Sequence, residues 1–343
     1  MEHKKTLPQK HLTKWNLQSK KEFNWKNIVL TWEFLLLGIL VGVMVLNSFL
    51  SPHFLNINTV IDSTRVFLDK SFIVFPMVLI ILLGDIDISV GSIVALSSVI
   101  MGSLFAWGVP MPLAIIACLL VGSLCGFING VLITKYKELS AVIVTLGTMI
   151  AFRGLAYMIL ENQSVGNFPA WFGFLGWDYI GGIPFILAVF IAFAILYYLL
   201  LHKTTFGRQI YAMGKNATAS RFSGVEVDRI KVIVFTLAGL MAAVTALFLT
   251  SRMGSTRPNI ASNYELQVIA IVALGGVRTS GGKGRMLGPM ISVFIIGYLQ
   301  FGMGLINVSS QTLMIIIGAL LIVSVSVTRL DLGKKKKIIR GGK

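Results

Sequence analysis

The chain has 343 residues, 55% of them hydrophobic and only 13% charged, with a formal net charge of +16. A soluble protein carries about a quarter charged residues, so the composition excludes a soluble enzyme core and describes a polytopic membrane protein. The positive charge sits at the termini and in short loops between apolar runs, which reports membrane topology rather than a nucleic-acid partner.

Runs of roughly 20 apolar residues cross a bilayer as helices, because lipid offers no partner to a bare amide. These runs do not alternate as barrel strands must. The expected fold class is therefore all-α and polytopic, with about ten spans. Residues 1–27 carry Lys4, Lys5, Lys10, Lys14, Lys20, Lys21 and Lys26 and read as a basic cytosolic arm. With no cleavage site behind it, the first run, Trp32–Leu50, reads as a retained span. Ser51-Pro52 ends it. Asn56–Lys70 mixes Asp62, Arg65 and Asp69 and suits the outer surface or a short interfacial helix.

A second run, Ser71–Leu83, stops at the turn Gly84–Gly91, and a third spans Ser92–Trp107. A fourth, Pro110–Ile133, ends before Lys135 and Lys137. A fifth is Ala141–Leu160. Residues 161–180 lack Lys and Arg and hold Trp171 and Trp177, as an outer interfacial loop does. A sixth run, Gly181–Leu201, precedes the polar stretch His202–Lys231. The seventh is Val232–Thr250. Ser251–Ser262 falls outside on this count despite Arg252 and Arg257. The eighth, Tyr264–Leu274, stops at the Gly-rich turn Gly275–Gly284. The ninth and tenth are Arg285–Ile306 and Thr312–Thr328, within a membrane domain over 28–329, and a basic tail, 330–343, closes the chain.

Ten crossings put both termini, the Lys135/Lys137 loop, the His202–Lys231 stretch and the Arg278–Arg285 turn in the cytosol, and all of these are basic. With no organellar presequence, this points to a bacterial inner membrane. The short second and eighth runs could also be half-crossings. Each breaks at a Gly-rich turn and resumes as a longer helix, so spans one to four and seven to ten suggest a parallel internal repeat.

Neither turn carries a nucleotide. Lys283 follows Gly282, but Val277 stands where a phosphate loop needs its first Gly, and Gly284 where it needs Ser or Thr. Asp85 and Asp87, two apart, do not share a helix face and do not match a calcium loop. Asp87 and Ser89 read either as caps of the following helix or as groups on a transport path. Cys118 and Cys125, on one helix face, cannot pair or make a metal site. His3, His11, His53 and His202 fall in loops or tails. The expectation is no catalysis, no metal and no cofactor. Asn129, Thr145, Thr148 and Gln267, with Tyr298 and Gln300, are uncharged polar groups within spans; they join helices or line a path for a neutral solute.

The motifs resemble those of permease subunits of bacterial ABC sugar importers, the ribose, xylose, rhamnose and autoinducer-2 branch, over about Phe49–Val327. They are Gly84-Asp85-Ile86-Asp87-Ile88-Ser89-Val90-Gly91-Ser92, Thr145-Leu146-Gly147-Thr148 with Arg153-Gly154, and Gly275-Gly276 with Gly281, Gly282 and Gly284. A fourth lies in the long polar stretch: Gly207, Arg208, Tyr211, Ala212, Gly214, Asn216, Ala219, Ser223 and Gly224. Asp85, Ser140-Ala141 and Ala217 depart from the family pattern, which has Gly, a Pro pair and Glu there. Gly108–Ala114 and Leu201–Thr204 look most like the autoinducer-2 permeases.

The resemblance implies that Asn216–Phe222 is a helix docking on a cytosolic ATPase, stopped by Ser223-Gly224, with Gly207, Arg208, Gly214, Asn216, Ala219, Arg221, Ser223 and Gly224 as the coupling residues. It implies a second permease subunit, identical or related, and an extracytoplasmic sugar-binding protein. A stand-alone carrier or facilitator for a neutral polar solute, or a non-transporting scaffold, are the alternative readings.

Overall fold

The computed structural model describes residues 32–330 except 53 and 55. The expected arm, 1–27, and the tail from 331 onward lie outside the described residues. The chain is helical almost throughout: α1 (Trp32–Leu50), α2 (Ile57–Phe67), α3 (Ser71–Leu83), α4 (Val90–Ala106), α5 (Met111–Lys135), α6 (Ala141–Leu160), α7 (Phe174–Trp177), α8 (Phe185–Lys203), α9 (Thr205–Lys215), α10 (Ala217–Phe222), α11 (Val227–Met253), α12 (Tyr264–Leu274), α13 (Leu287–Leu305) and α14 (Ser310–Leu330). Six helices are long and apolar enough to cross a bilayer: α1, α5, α6, α8, α11 and α13. The pair α2–α3 passes the same test together but is bent by 61°. With α4, α12 and α14 these make the ten expected apolar segments.

Every residue of α3, SFIVFPMVLIILL, is buried. A helix apolar on all sides belongs in the middle of a bundle, and α3 lies there. It ends at Gly84, whose φ of +87° is the left-handed C-cap that glycine supplies without strain. Beside it, α11 crosses α5 at glycines. A Cβ on Gly239 would strike the Gly122 carbonyl and Gly126, and one on Gly126 would strike the Phe235 carbonyl. Small residues at such a crossing let two backbones approach closely, which is how helices pack inside lipid. At the edge, α1 is tied to α13 by Asn47, whose Nδ2 donates to the Tyr298 carbonyl at 2.8 Å.

Two clusters of connections mark the ends of the bundle. At one end, Val165–Gly166 pairs antiparallel with Ser255–Thr256, and Tyr179–Ile180 with Ile183–Pro184. At the other end lie α9, α10, the loop after α5 and the Gly-rich turn before α13; this is the basic end.

Three boundaries correct the sequence reading. Residues 181–184 form a hairpin turn rather than the start of the sixth span. That span runs on to Lys203, so His202 is helical, not in a loop, and its Nε2 accepts from the Met286 amide at 3.3 Å. The seventh span begins at Val227, because Lys231 finds a partner inside the bundle. Both cysteines are free and buried on α5.

Candidate functional site

At the basic end the polar stretch folds into two helices joined at one residue. Thr204 Oγ1 caps α9 by accepting from the Gly207 amide at 3.3 Å. Asn216 ends α9 and starts α10, its Oδ1 accepting from the Ala219 amide at 2.9 Å. Side-chain oxygens at such positions satisfy amides that a helix start leaves free. Ser223 closes α10, and Gly224 turns the chain at φ +84°. On α10 only Ser220 is buried. Asn216, Ala219, Arg221, Ser223 and Gly224 are exposed, as is Arg208 on α9, while Gly207 is buried. Phe222 stands 89% exposed, an apolar side chain with no place in the fold.

The same two helices are fastened to the bundle. Gly214 fits against the Leu82 carbonyl and Gly282, and the Gly282 amide itself donates to Leu82 O at 2.9 Å. Tyr211 donates its hydroxyl to the Gly284 carbonyl at 2.7 Å. Thus α9 grips the end of α3 and the Gly-rich turn after α12 together. Arg221 and Lys137 both pair with Asp228, at 2.6 and 3.2 Å, and Lys231 pairs with Asp85 at 2.6 Å. These pairs ring a cleft of about 390 Å³ between the Gly84 turn, the α5–α6 loop and α10.

The intramembrane candidates fall into two groups. Asp87, Ser89, Asn129 and Thr145 come together where α3 breaks into α4, while Thr148 bonds within α6. Asp87 Oδ1 accepts from the Ser89 amide at 2.8 Å and the Ser89 hydroxyl at 2.6 Å. Asn129 Nδ2, on α5, donates to Ser89 Oγ at 2.7 Å. Thr145, on α6, donates to the Ile86 carbonyl and accepts from the Ile88 amide. Thr148 donates to the Thr145 carbonyl one turn on. Asp87, Ser89, Asn129 and Thr145 are fully buried, so they tie the broken backbone to α5 and α6.

Gln267 belongs elsewhere. Its Oε1 accepts from Lys70 Nζ at 2.7 Å and from Gln300 Nε2 at 3.2 Å, and Lys70 also donates to Gln300 Oε1. Beside Lys70, Asp69 is paired with Arg252, and the Thr245 hydroxyl donates to the Asp69 carbonyl at 2.9 Å. By sequence, Asp69 and Lys70 belong at the outer surface; in the fold both are buried in the 61° bend between α2 and α3. The available signal is their abutting Ser71, the first residue of a wholly apolar run. The same pair accounts for Arg252 on the less basic side of the topology.

A bundle of hydrophobic helices, broken at polar turns and gripped at one end by short helices, defines a polytopic membrane permease. The chain belongs to the family described as "Branched-chain amino acid transport system / permease component", which matches residues 59–325. It is a transport component, not an enzyme. It is 40% identical over 296 residues to the ribose import permease protein RbsC of Bacillus subtilis, covering 85% of this chain and 91% of that one. It is 36% identical over 301 residues to the autoinducer 2 import system permease protein LsrD of Escherichia coli K12, covering 86% and 91%, and equally to that of Shigella flexneri. No solved structure matches the chain.

Proposed function

We propose that this chain is the permease subunit of an ATP-driven importer for a sugar or sugar-like solute of the ribose or autoinducer-2 kind. The names of its relatives support the substrate class. The observation that carries the mechanism is the double attachment of α9 and α10. An exposed helix ends in an unpartnered Phe222, and its neighbour is bonded to the ends of two broken spans. On this reading the basic end faces the cytosol of a bacterial cell, and both termini with it. A cytosolic ABC ATPase receives α10. Its ATP-driven closure moves α9, and α9 shifts the ends of α3 and α12 as one unit. A second permease subunit completes the path, and an extracytoplasmic binding protein delivers the solute.

The test is reconstitution into vesicles. The permease with its ATPase and binding protein takes up solute on ATP addition, while the permease alone does not. Arg221→Glu keeps the protein in the membrane, since the Arg221–Asp228 pair is half-exposed and worth under about 1 kcal/mol; Gly224→Arg does so because an added side chain meets open space and the left-handed backbone costs only about 1–2 kcal/mol; and both uncouple ATP hydrolysis from uptake. Uptake by the permease alone down a gradient would establish a stand-alone carrier instead. Normal coupling in both variants would remove α10 from the lever.

A further inference from the structure

The break between α3 and α4 buries a carboxyl group that is only half satisfied. Asp87 Oδ1 has two donors, both from Ser89, and Asp87 Oδ2 has none. Asn129 gives its Nδ2 to Ser89 Oγ, and its Oδ1 also has no donor. Both residues are 0% exposed. Two bare acceptor oxygens therefore lie in one three-residue cluster, joined through a single hydroxyl. A buried polar atom without a partner is costly, and a buried unpaired carboxylate more so.

No cation neutralises this carboxyl among the described residues. Asp85, two residues before it, takes Lys231 of α11. Lys137, beyond α5, and Arg221, on α10, are spent on Asp228. On α6, Arg153 donates to the Pro258 and Ile260 carbonyls. Glu265 of α12 lies against Gly91 and adds a further acid rather than a base. A metal ion fits poorly too. Hard cations take about six oxygens, and the cluster leaves two unclaimed. A single proton on Oδ2 turns an orphaned acceptor into a donor and removes the buried charge, and Asn129 Oδ1 is the bare acceptor of the same cluster.

We propose that Asp87 is a proton-binding site, carried in this conformation as the neutral carboxylic acid with its hydroxyl directed to Asn129 Oδ1. The proton comes from water and returns to it when the cleft beside Asp85 and Ile86, which lines the neighbouring turn, opens as far as Asp87. A group held neutral in the fold and ionised in the unfolded chain binds more protons when folded, so its contribution to stability is lost as pH rises.

The experiment is infrared spectroscopy and thermal unfolding of the full chain in lipid nanodiscs, wild type against Asp87→Asn. The amide reproduces the neutral acid: its oxygen accepts from Ser89 and its NH2 donates to Asn129. The wild-type minus variant spectrum should show the carbonyl stretch of a protonated carboxylic acid. The variant should unfold within a few degrees of wild type in acidic buffer and lose the part of the midpoint's fall that Asp87 supplies as pH rises above the ordinary carboxylate range. A difference spectrum showing only an ionised carboxylate overturns the proposal, as does a variant that fails to fold. So does a sodium- or potassium-dependent rise in the wild-type midpoint that the variant lacks, which would mean a bound cation in place of the proton.

Discussion

Asp69 and Arg252, 183 residues apart, form an ion pair of 2.7 Å in which the Asp69 side chain is 1% exposed and that of Arg252 22%. The pair joins the bend between α2 and α3 to the last turn of α11. Removing one partner of a buried pair leaves a bare charge and costs about 3–5 kcal/mol. Since Arg252 keeps some solvent, Arg252→Ala should fall at the low end, about 3 kcal/mol. The neutral double variant Asp69→Asn/Arg252→Gln should recover more than half of the loss. Thermal midpoints of wild type, Asp69→Asn, Arg252→Gln and the double variant in nanodiscs, beside Arg252→Ala, measure this, and strictly additive losses would show that the pair is not coupled.

The α5–α11 crossing makes a sharper prediction, because what a side chain on Gly239 would strike is backbone. Overpacking a well-filled site typically costs about 1–3 kcal/mol, and backbone cannot yield as a side-chain tip can. Gly239→Ala should therefore lose at least the upper part of that range, and Gly239→Leu should not accumulate in the membrane. A methyl group added at Gly42, on α1, meets nothing within 4 Å. Gly42→Ala should be neutral or slightly stabilising, since alanine gains about 0.5–1 kcal/mol over glycine inside a helix. Expression level and midpoint of the two alanine variants, side by side, check the contrast.

Tyr211 offers a way to loosen the proposed lever without touching its outer surface. Its hydroxyl is the bond from α9 to the Gly284 carbonyl. A typical internal hydrogen bond contributes about 0.5–1.5 kcal/mol, so Tyr211→Phe should remain folded. It should lower uptake per ATP hydrolysed while leaving ATPase binding intact. A variant that instead loses the ATPase in pull-down would mean that α9 supports the docking surface and does not transmit movement.

Much of this fold is legible from residue order. Trp32–Leu50, Ser71–Leu83, Ala141–Leu160 and Tyr264–Leu274 coincide with helices end to end, because each is an apolar run bounded by polar or turn-forming residues. The start of α10 is legible for a different reason: Asn216 is an N-cap residue three before Ala219. What stays hidden depends on distant partners. Lys70 reads as a surface charge until Gln267 and Gln300, about 200 residues later, supply its acceptors. Likewise the attachment of α9 stays hidden: Thr204 caps the helix locally, but what holds it to the bundle comes through Gly214 and Tyr211, from contacts with residues 82 and 282–284. By sequence, Gln267 groups with Asn129 and Thr145 as an uncharged polar residue within a span. Only the three-dimensional arrangement separates it into a cluster built around a cation.

Phe222 and Ala217 lie at opposite ends of α10 and separate docking from folding. Phe222 is 89% exposed, so Phe222→Ala removes little that the isolated permease uses and should leave its thermal midpoint unchanged. If the side chain enters a groove on the ATPase, it is the kind of buried aromatic anchor whose truncation costs about 2 kcal/mol or more, a loss of roughly thirtyfold or more in affinity. Ala217 is the first residue of α10, where an acidic side chain favours the positive end of the helix by about 0.3–1 kcal/mol. Ala217→Glu should thus fold at least as well as the native chain. It also adds a charge at the edge of the same surface, and it should change affinity among ATPases that differ in basic residues around their grooves. Binding of purified ATPase to permease nanodiscs, measured for the three proteins, separates the two effects. A full-affinity Phe222→Ala would move the anchor to another part of the surface formed by α9 and α10.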